Sequence, residues 1–571
     1  MCAIAFLVGL IVGARHQSGA ERHVHRFAAA WARGDYAAMY AELSDGSRAR
    51  IARRDFQRAY EAAMRTATVE AVRAGDAAHA GGGYRVPLRM RTRLFGTVAA
   101  DLDLAAGDGG VDWSPELTFP GLRPGEQLRR RTTLPARAAL LARDRTALAQ
   151  GSGRTSPLGA LASSVVGQLG PIPADRAARL AALGVPDDAE VGVSGLERIF
   201  DERLLGTPGG DLLAGVRVLA HRAPRAAPAV RTTISVPIQQ AAVAALAGRL
   251  GGVVALSPRT GEVLAFAGIA FSGLQPPGST FKLVTLTGAL EAGITSPSRT
   301  YPVQTKAVLS GVELQNANGE ACGGTLVLSF ARSCNSVFAP LGVRLGAKRL
   351  VATAERFGFN RAPDVPGAAT SSIPPAGEIA DDLAVGSSAI GQGRVQATAL
   401  QMATVAAAIG LRGQRPRLTL RYGDRAPAAT AGRATSERVA RTVERLMLAV
   451  VRGGTGFRAQ IPGVEVAGKT GTAELRTTRK CQVDPGAPTV AQGQDQTSTA
   501  PQDPESCVPT DQANDPTDTD AWFAAYAPAG TGRPRVAVGV LLVASGAGGD
   551  TAAPAARGVL VAALKATGSG G

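Results

Sequence analysis

Ser279 and Lys282 stand three positions apart in the run PPGSTFKLVTLTGALEAG. A serine hydroxyl is a weak nucleophile and needs a neighbouring base to take its proton. Two prolines and a glycine stop the chain just ahead of the serine, and an apolar run follows. A helix is therefore expected to begin at or near Ser279 and to be capped at Gly293. Residues three apart on a helix share one face, which brings the lysine beside the serine. Lysine serves as a base once burial or a nearby cation lowers its pKa. The helix start also offers unpaired N–H groups and positive potential to a developing oxyanion. The chemistry implied is covalent catalysis with a serine nucleophile and a lysine base.

Two more motifs follow in order, Ser333-Cys334-Asn335 and Lys469-Thr470-Gly471-Thr472. The chain holds only six lysines. By simple counting, chance supplies about 0.06 K-T-G matches, and all three motifs in order in fewer than about one sequence in a hundred. Bland readings exist for each: Ser333 as a helix cap, Asn335 as a turn residue, Thr472 as a purely structural strand residue. The five histidines, His16, His23, His25, His79 and His221, all precede Ser279. A Ser-His-Asp triad would have to borrow its histidine from another domain.

S-x-x-K, S-x-N and K-T-G in this order are the signature of penicillin-binding proteins and serine β-lactamases. The chain resembles the class B penicillin-binding proteins, which are peptidoglycan D,D-transpeptidases, most tightly from about Ser194 to Ala566. The resemblance implies that Ser279 attacks the penultimate D-Ala carbonyl of a stem peptide and releases D-Ala, while Lys282 takes the serine proton. Ser333 and Asn335 would relay the proton and hold the substrate amide. Lys469 would supply positive charge, and Thr470 and Thr472, flanking Gly471, would grip the terminal carboxylate. The backbone N–H groups of Ser279 and Thr472 would form the oxyanion hole. An amine of a neighbouring stem peptide resolves the acyl-enzyme, and β-lactams acylate the same serine. Neither cofactor nor metal is implied. The segment AIGQG, Ala389–Gly393, resembles the family's cleft-flanking segment and is read as architecture first. The same residues also suit a D,D-carboxypeptidase or a catalytically weak cell-wall scaffold. A serine β-lactamase is far smaller, and the deacylating E-x-x-x-N motif is absent between Ser333 and Lys469.

These residues need a frame. From about Val230 the chain reads strand, helix, then two strands joined at Pro258–Gly261. VEVAGKTGTAE, DAWFAAYAP and RVAVGVLLVAS read as three more strands, and an Ala-rich helix closes the chain. The expected fold is α+β, with a transpeptidase domain over 231–571 of the penicillin-binding/serine β-lactamase type. It comprises a five-stranded antiparallel sheet with flanking helices and a helical subdomain. Residues 475–519 are polar and lack aromatic residues, so they read as a mobile insertion between strands. Cys481 and Cys507 bracket most of it and are candidates for a disulfide, which requires an oxidising compartment. Cys322 and Cys334 are a second candidate pair, and four cysteines allow three pairings. No CxxC pair points to zinc.

Residues 20–127 read as a small α+β unit. Helical spacing over Arg22–Arg33 and Tyr36–Leu43 is split at Gly34-Asp35, with strand-like runs at Thr66–Val72, Tyr84–Leu94 and Val98–Leu104. Carrying AAWARGDYAAMYAELS and TRLFGT, it resembles the N-terminal cone of methicillin-resistance-type penicillin-binding proteins and is read as a spacer. Residues 128–230 resemble the family's non-catalytic dimerisation-type module. PARAALLARDRTALA follows R-G-x-I-x-D-R-x-G-x-x-L-A at Arg137, Leu140, Arg143, Leu148 and Ala149. It departs at Ala138, Ala142 and Arg145, losing two glycine turn positions. SGLERIFDERLLGTPGG, from Ser194, fits more closely.

At 571 residues the chain is too long for one core. Its net charge of +16 comes almost wholly from arginine, with no helix-turn-helix, zinc finger or aromatic-interleaved patch to imply nucleic acid. Residues 1–19 open on the apolar run Met1–Ala14, shorter than a bilayer span. Three readings stay open for it: a membrane anchor whose start is placed too late, a signal-peptide core, or the first strand of a soluble domain. The family resemblance favours a cell-membrane protein with a single N-terminal anchor and an extracytoplasmic catalytic domain. No glycosyltransferase domain precedes the transpeptidase, so a membrane glycosyltransferase partner is expected.

Overall fold

The computed structural model describes residues 18–424, 430–474, 479–481, 507–509 and 519–568. The apolar run Met1–Ala14 and nearly all of the 475–519 insertion lie outside the described residues. Two short strands inside the insertion, Arg479–Cys481 and Cys507–Pro509, pair antiparallel with Cys481 opposite Cys507. The chain divides into two compact units. One comprises Met1–Ala139, Gln150–Arg154 and Gln168–Ala229; the other comprises Leu140–Ala149, Thr155–Gly167 and Val230–Gly571.

The first unit opens on α1 (Gly19–Arg33), capped by the Ser18 hydroxyl, which accepts the Glu21 N–H at 3.1 Å. Val24, Phe27, Ala28 and Trp31 line its buried face at helical spacing. Gly34, at φ +70°, ends it and leads into α2 (Tyr36–Ala41). A further helix, α3 (Arg53–Thr66), was not assigned from sequence, and it buries Phe56, Tyr60 and Ala63. Because α3 runs through Thr66, the first strand, β1 (Val69–Ala74), starts later than expected. It pairs with β2 (Gly83–Thr92), then β3 (Gly96–Gly107) and β4 (Gly110–Asp112), all antiparallel. Along β2, Tyr84, Val86, Leu88 and Met90 point into the core and the residues between them point to solvent. Tyr60 donates to Leu117 O at 3.1 Å and accepts from Trp113 Nε1 at 3.3 Å, so both buried aromatics keep their polar atoms satisfied.

Further along, Arg137, Arg154 and Arg176 enclose two carboxylates. Arg137 reaches Glu197 and Asp201, both at 2.7 Å, Arg154 reaches Glu197 at 2.7 Å, and Arg176 pairs with Asp201. Glu197 and Asp201 are only 1% and 2% exposed. Charges this deep persist only when paired on all sides.

In the second unit, Leu140–Leu141 and Ala147–Ala149 form a short hairpin. Arg145, at one of the lost glycine positions, takes the left-handed conformation itself at φ +73°. Its N–H bonds Ala142 O at 3.0 Å, and the Thr146 N–H bonds Asp144 Oδ1 at 3.0 Å, so the turn survives without glycine. Then come α4 (Val236–Leu246), β5 (Gly251–Leu256) and β6 (Val263–Gly268). The helical part follows as α5 (Lys282–Glu291), α6 (Leu326–Ala331), α7 (Asn335–Leu345), α8 (Ala399–Gly410) and α9 (Glu437–Gly453). The chain returns through β7 (Ala467–Glu474), β8 (Thr519–Ala527) and β9 (Val536–Leu542) to α10 (Ala552–Gly568). The expected five-stranded antiparallel sheet runs β6-β5-β9-β8-β7, leaving the K-T-G strand β7 on an edge.

One sheet face, carrying Val253, Phe523, Ala525, Val538 and Val540, packs on Ile238 and Ala242 of α4 and on Val559 and Leu560 of α10. The other face meets α8, every residue of which is buried. Gly539 permits that approach, since a Cβ there would lie 2.1 Å from Ala399 O.

Candidate active site

The serine sits on a tight turn rather than on the helix proper. Pro276, Pro277 and Gly278, the last at φ +49°, lead into a single 3-10 turn over Gly278–Phe281, and α5 begins only at Lys282. The Thr280 hydroxyl closes the turn by donating to Pro277 O at 2.7 Å. Both neighbours of this turn are backbone. Gly278 N–H donates to Gly391 O at 2.9 Å, and a Cβ on Gly278 would stand 2.5 Å from Thr472 O. A Cβ on Gly391 would stand 2.1 Å from Gly278 O, and one on Gly471 would stand 2.8 Å from Pro277 O. The glycines of A-I-G-Q-G and K-T-G thus let two backbones close on the serine turn. The Thr285 hydroxyl, donating to Ala389 O at 2.6 Å, fixes α5 to the same segment.

Ser333 lies between α6 and α7 in the left-handed conformation, φ +63°, unusual for serine. Its N–H bonds Phe330 O at 3.1 Å and the next N–H, of Cys334, bonds Ser329 O at 2.9 Å, so α6 ends in a tight cap. Cys334 is joined to Cys322 by a disulfide. Asn335 opens α7 and donates from Nδ2 to Gln315 O at 2.8 Å.

Two lysines converge here. Lys282 Nζ donates to Ser333 O at 2.6 Å, Asn335 Oδ1 at 2.7 Å and Ser333 Oγ at 3.3 Å. Lys469 Nζ donates to Ser333 Oγ at 2.8 Å and Thr470 O at 2.9 Å. Both side chains are fully buried. The Phe338 and Phe330 rings lie 5.6 Å and 5.5 Å from the two ammonium nitrogens, within cation–π range. Burial, and then the charge of Lys469, pushes Lys282 well below its ordinary pKa; burial alone pushes Lys469 down to about 7. A lysine so depressed is neutral in part near pH 7 and able to accept a proton. Ser333 Oγ accepts from both nitrogens when Lys282 is an ammonium; the neutral amine has only two N–H groups, and Ser333 can then donate its own proton to it.

The structure brings Lys282, Ser333, Asn335, Lys469 and Thr470 into one hydrogen-bonded cluster. Ser279 is half-buried one turn ahead of Lys282, and among the described residues none hydrogen-bonds its hydroxyl. Lys282 spends its bonds on Ser333 and Asn335 instead. Thr472 lies beside the serine turn and accepts the Gly548 N–H at 3.3 Å. Three contributors lie outside the motifs, and of these only Cys322, as a candidate disulfide partner of Cys334, is named from sequence. Thr455 shares a 2.6 Å hydrogen bond with Thr470, Gln315 anchors Asn335, and Cys322 bonds to the centre of S-C-N. Thr455 lies in a turn, and Gln315 and Cys322 at strand ends, where none carries a spacing signal that points to the motifs.

Comparison with known proteins finds matches along most of the chain. Residues 251–485 match the penicillin-binding protein transpeptidase domain, residues 19–126 an NTF2-like N-terminal transpeptidase domain, and residues 145–214 the penicillin-binding protein dimerisation domain. The chain is 33% identical over 424 residues to the peptidoglycan D,D-transpeptidase PbpA of Mycolicibacterium smegmatis, covering 64% of this chain and 77% of that one. The PbpA of Mycobacterium tuberculosis is 32% identical over 423 residues with the same coverage. A crystal structure of PBPA from M. tuberculosis superposes with TM-score 0.55 at 28% identity, covering 75% of this chain and 99% of that one. The ceftriaxone acyl-enzyme of penicillin-binding protein A from that organism gives TM-score 0.55 at 27% identity, covering 75% and 98%.

Proposed function

This chain belongs to the class B penicillin-binding proteins, the kind with a methicillin-resistance-type N-terminal domain, and from that premise we propose that Ser279 is the nucleophile through which it cross-links peptidoglycan. Its class of activity is that of the peptidoglycan D,D-transpeptidases. The observation that carries the finer reading is the convergence of Lys282, Ser333, Asn335 and Lys469 in one buried cluster at the foot of the serine turn.

In the first step Ser279 Oγ bonds to the carbonyl carbon of the penultimate D-Ala of a stem peptide, and its proton passes to neutral Lys282. Charge builds on the carbonyl oxygen, which accepts from the N–H groups of Ser279 and Thr472. Lys282, through Ser333, returns the proton to the departing nitrogen; the C–N bond breaks and D-Ala leaves. An amine from a neighbouring stem peptide attacks the ester and the serine takes back its proton. Asn335 holds the substrate amide, and Lys469, Thr470 and Thr472 bind the terminal carboxylate, with Gly471 keeping the strand close. A β-lactam enters the same path and stays as the ester. The first unit serves as a spacer and dimerisation-type module. The chain acts outside the cytoplasmic membrane, held by an N-terminal anchor, beside a membrane glycosyltransferase that supplies glycan.

Intact-protein mass spectrometry after labelled penicillin, with peptide mapping, tests the assignment. One adduct on Ser279 is expected, and none in Ser279→Ala with an unchanged melting temperature. An adduct surviving that substitution removes Ser279 from the role. Incubation with stem peptide and acceptor amine then separates cross-linking from simple D-Ala release, which would make the enzyme a D,D-carboxypeptidase.

A further inference from the structure

The middle residue of S-C-N is not a spectator. Cys334 is fully buried and bonded to Cys322, itself 3% exposed, across a separation of 12 residues. Those residues include all of α6, which carries Phe330 against Lys469. On one side of Cys334 stands Ser333 in the left-handed conformation that a serine seldom adopts. On the other stands Asn335, the first residue of α7, and Cys334 gives that helix no side-chain cap. Cys322 lies on the strand Cys322–Thr325, which pairs with Thr300–Gln304. The carbonyl of Cys322 also accepts the Ser336 hydroxyl at 3.3 Å. The bridge therefore ties the S-C-N turn to a neighbouring ladder at the one position between the two catalytic side chains.

Without it, Ser333 would keep its φ through the α6 cap bonds, the lysine contacts and the hydrogen bonds of Asn335 and Ser336 just after it. Ser333 Oγ meets Lys469 at 2.8 Å and Lys282 at 3.3 Å. A shift of the turn by an ångström breaks one contact or both, and misplacement on that scale costs about a hundredfold in rate. We propose that the Cys322–Cys334 disulfide is a positioning element of the active site, holding Ser333 between the two lysines so that proton transfer to and from Ser279 stays fast. The inference rests on Ser279 being the acylated serine.

The test uses the full chain with fluorescent penicillin, comparing wild type, Cys322→Ala and Cys322→Ala/Cys334→Ala. The acylation rate constant at saturation and the apparent dissociation constant are read separately, with the melting temperature alongside. The rate constant is taken only from protein that becomes labelled, so a partly folded preparation still reports it. The expected result is a fall of about tenfold or more in the saturating rate constant in both variants, with the dissociation constant changed less than about threefold. Saturating rates within about twofold of wild type overturn the proposal, even if the melting temperature drops, because the bridge is then only a brace for the fold. Failure of both variants to fold overturns it in the same direction. A wild type that is not labelled on Ser279 removes the functional reading itself, and the proposal with it.

Discussion

The two lysines share the Ser333 hydroxyl and have different tasks in the proposed mechanism. If Lys469 acts as a cation, acylation needs it protonated, whereas Lys282 must be neutral to accept a proton. With Lys469 held down to about 7, the acylation efficiency of the free enzyme should fall on the alkaline side from near that pH. Lys469→Arg should slow the reaction but abolish that alkaline limb, since a guanidinium keeps its proton across the whole range. A limb that persists in the arginine variant assigns it to another group. Lys282→Ala should cut the acylation rate by about 10²–10⁴-fold, the usual worth of a positioned base. Stability carries the same signature. Lys469 titrates near 7 in the folded chain and at 10.5 when unfolded, so between those values the unfolded chain binds the extra proton. Stability of the second unit therefore rises with pH across that window, and Lys282, shifted the same way, adds to it. Denaturant titrations at pH 7 and pH 9 read the difference, and equal midpoints would contradict both shifts.

At the scale of elements, the serine turn owes its place to glycines on its neighbours. Gly391 and Gly293 are both left-handed, at φ +78° and φ +67°, but only Gly391 has backbone against it. Gly293→Ala should cost about 1 kcal/mol of strain and leave acylation as it was. Gly391→Ala adds a Cβ 2.1 Å from Gly278 O. It should cost about 1–3 kcal/mol and slow acylation as well, because the clash is relieved by moving the Ser279 turn. Melting curves and penicillin labelling of the two variants separate strain from displacement. Thr455 acts at the same scale, holding Thr470 through one hydroxyl pair.

Across the whole chain, the described units have separate sources of stability. The second is built on an apolar sheet with packed helices on both faces. The first relies in part on Glu197 and Asp201 enclosed by three arginines. Removing one member of such a network leaves the others buried and unpaired, which costs about 3–5 kcal/mol. Glu197→Ala should therefore lower the calorimetric transition of the first unit by several degrees while the acylation rate stays within about twofold of wild type. Loss of acylation in parallel would show that the catalytic unit depends on the first for its own fold.

The sequence by itself determined the motif residues to which catalysis is assigned in the proposed mechanism, their order and the strands of the sheet. Each central strand is a short, nearly continuous apolar run buried on both faces, and each motif is a local spacing backed by scarce lysines and by histidines that all precede Ser279. The turn at Arg145 and the helix Arg53–Thr66 were harder to read. The first needs an arginine in a conformation that glycine normally supplies, and the second shows its apolar face only once Phe56, Tyr60 and Ala63 are buried. Only tertiary structure decided that Lys282 bonds Ser333 and Asn335 in place of Ser279, and that Lys469 reaches the same hydroxyl. It alone joined Cys334 to Cys322, a pairing that four candidate cysteines left open. For the two lysines the physical reason is the same. The partners lie 51, 53 and 136 residues apart along the chain, and burial gives each ammonium no alternative in water, so the fold fixes which acceptor it must take.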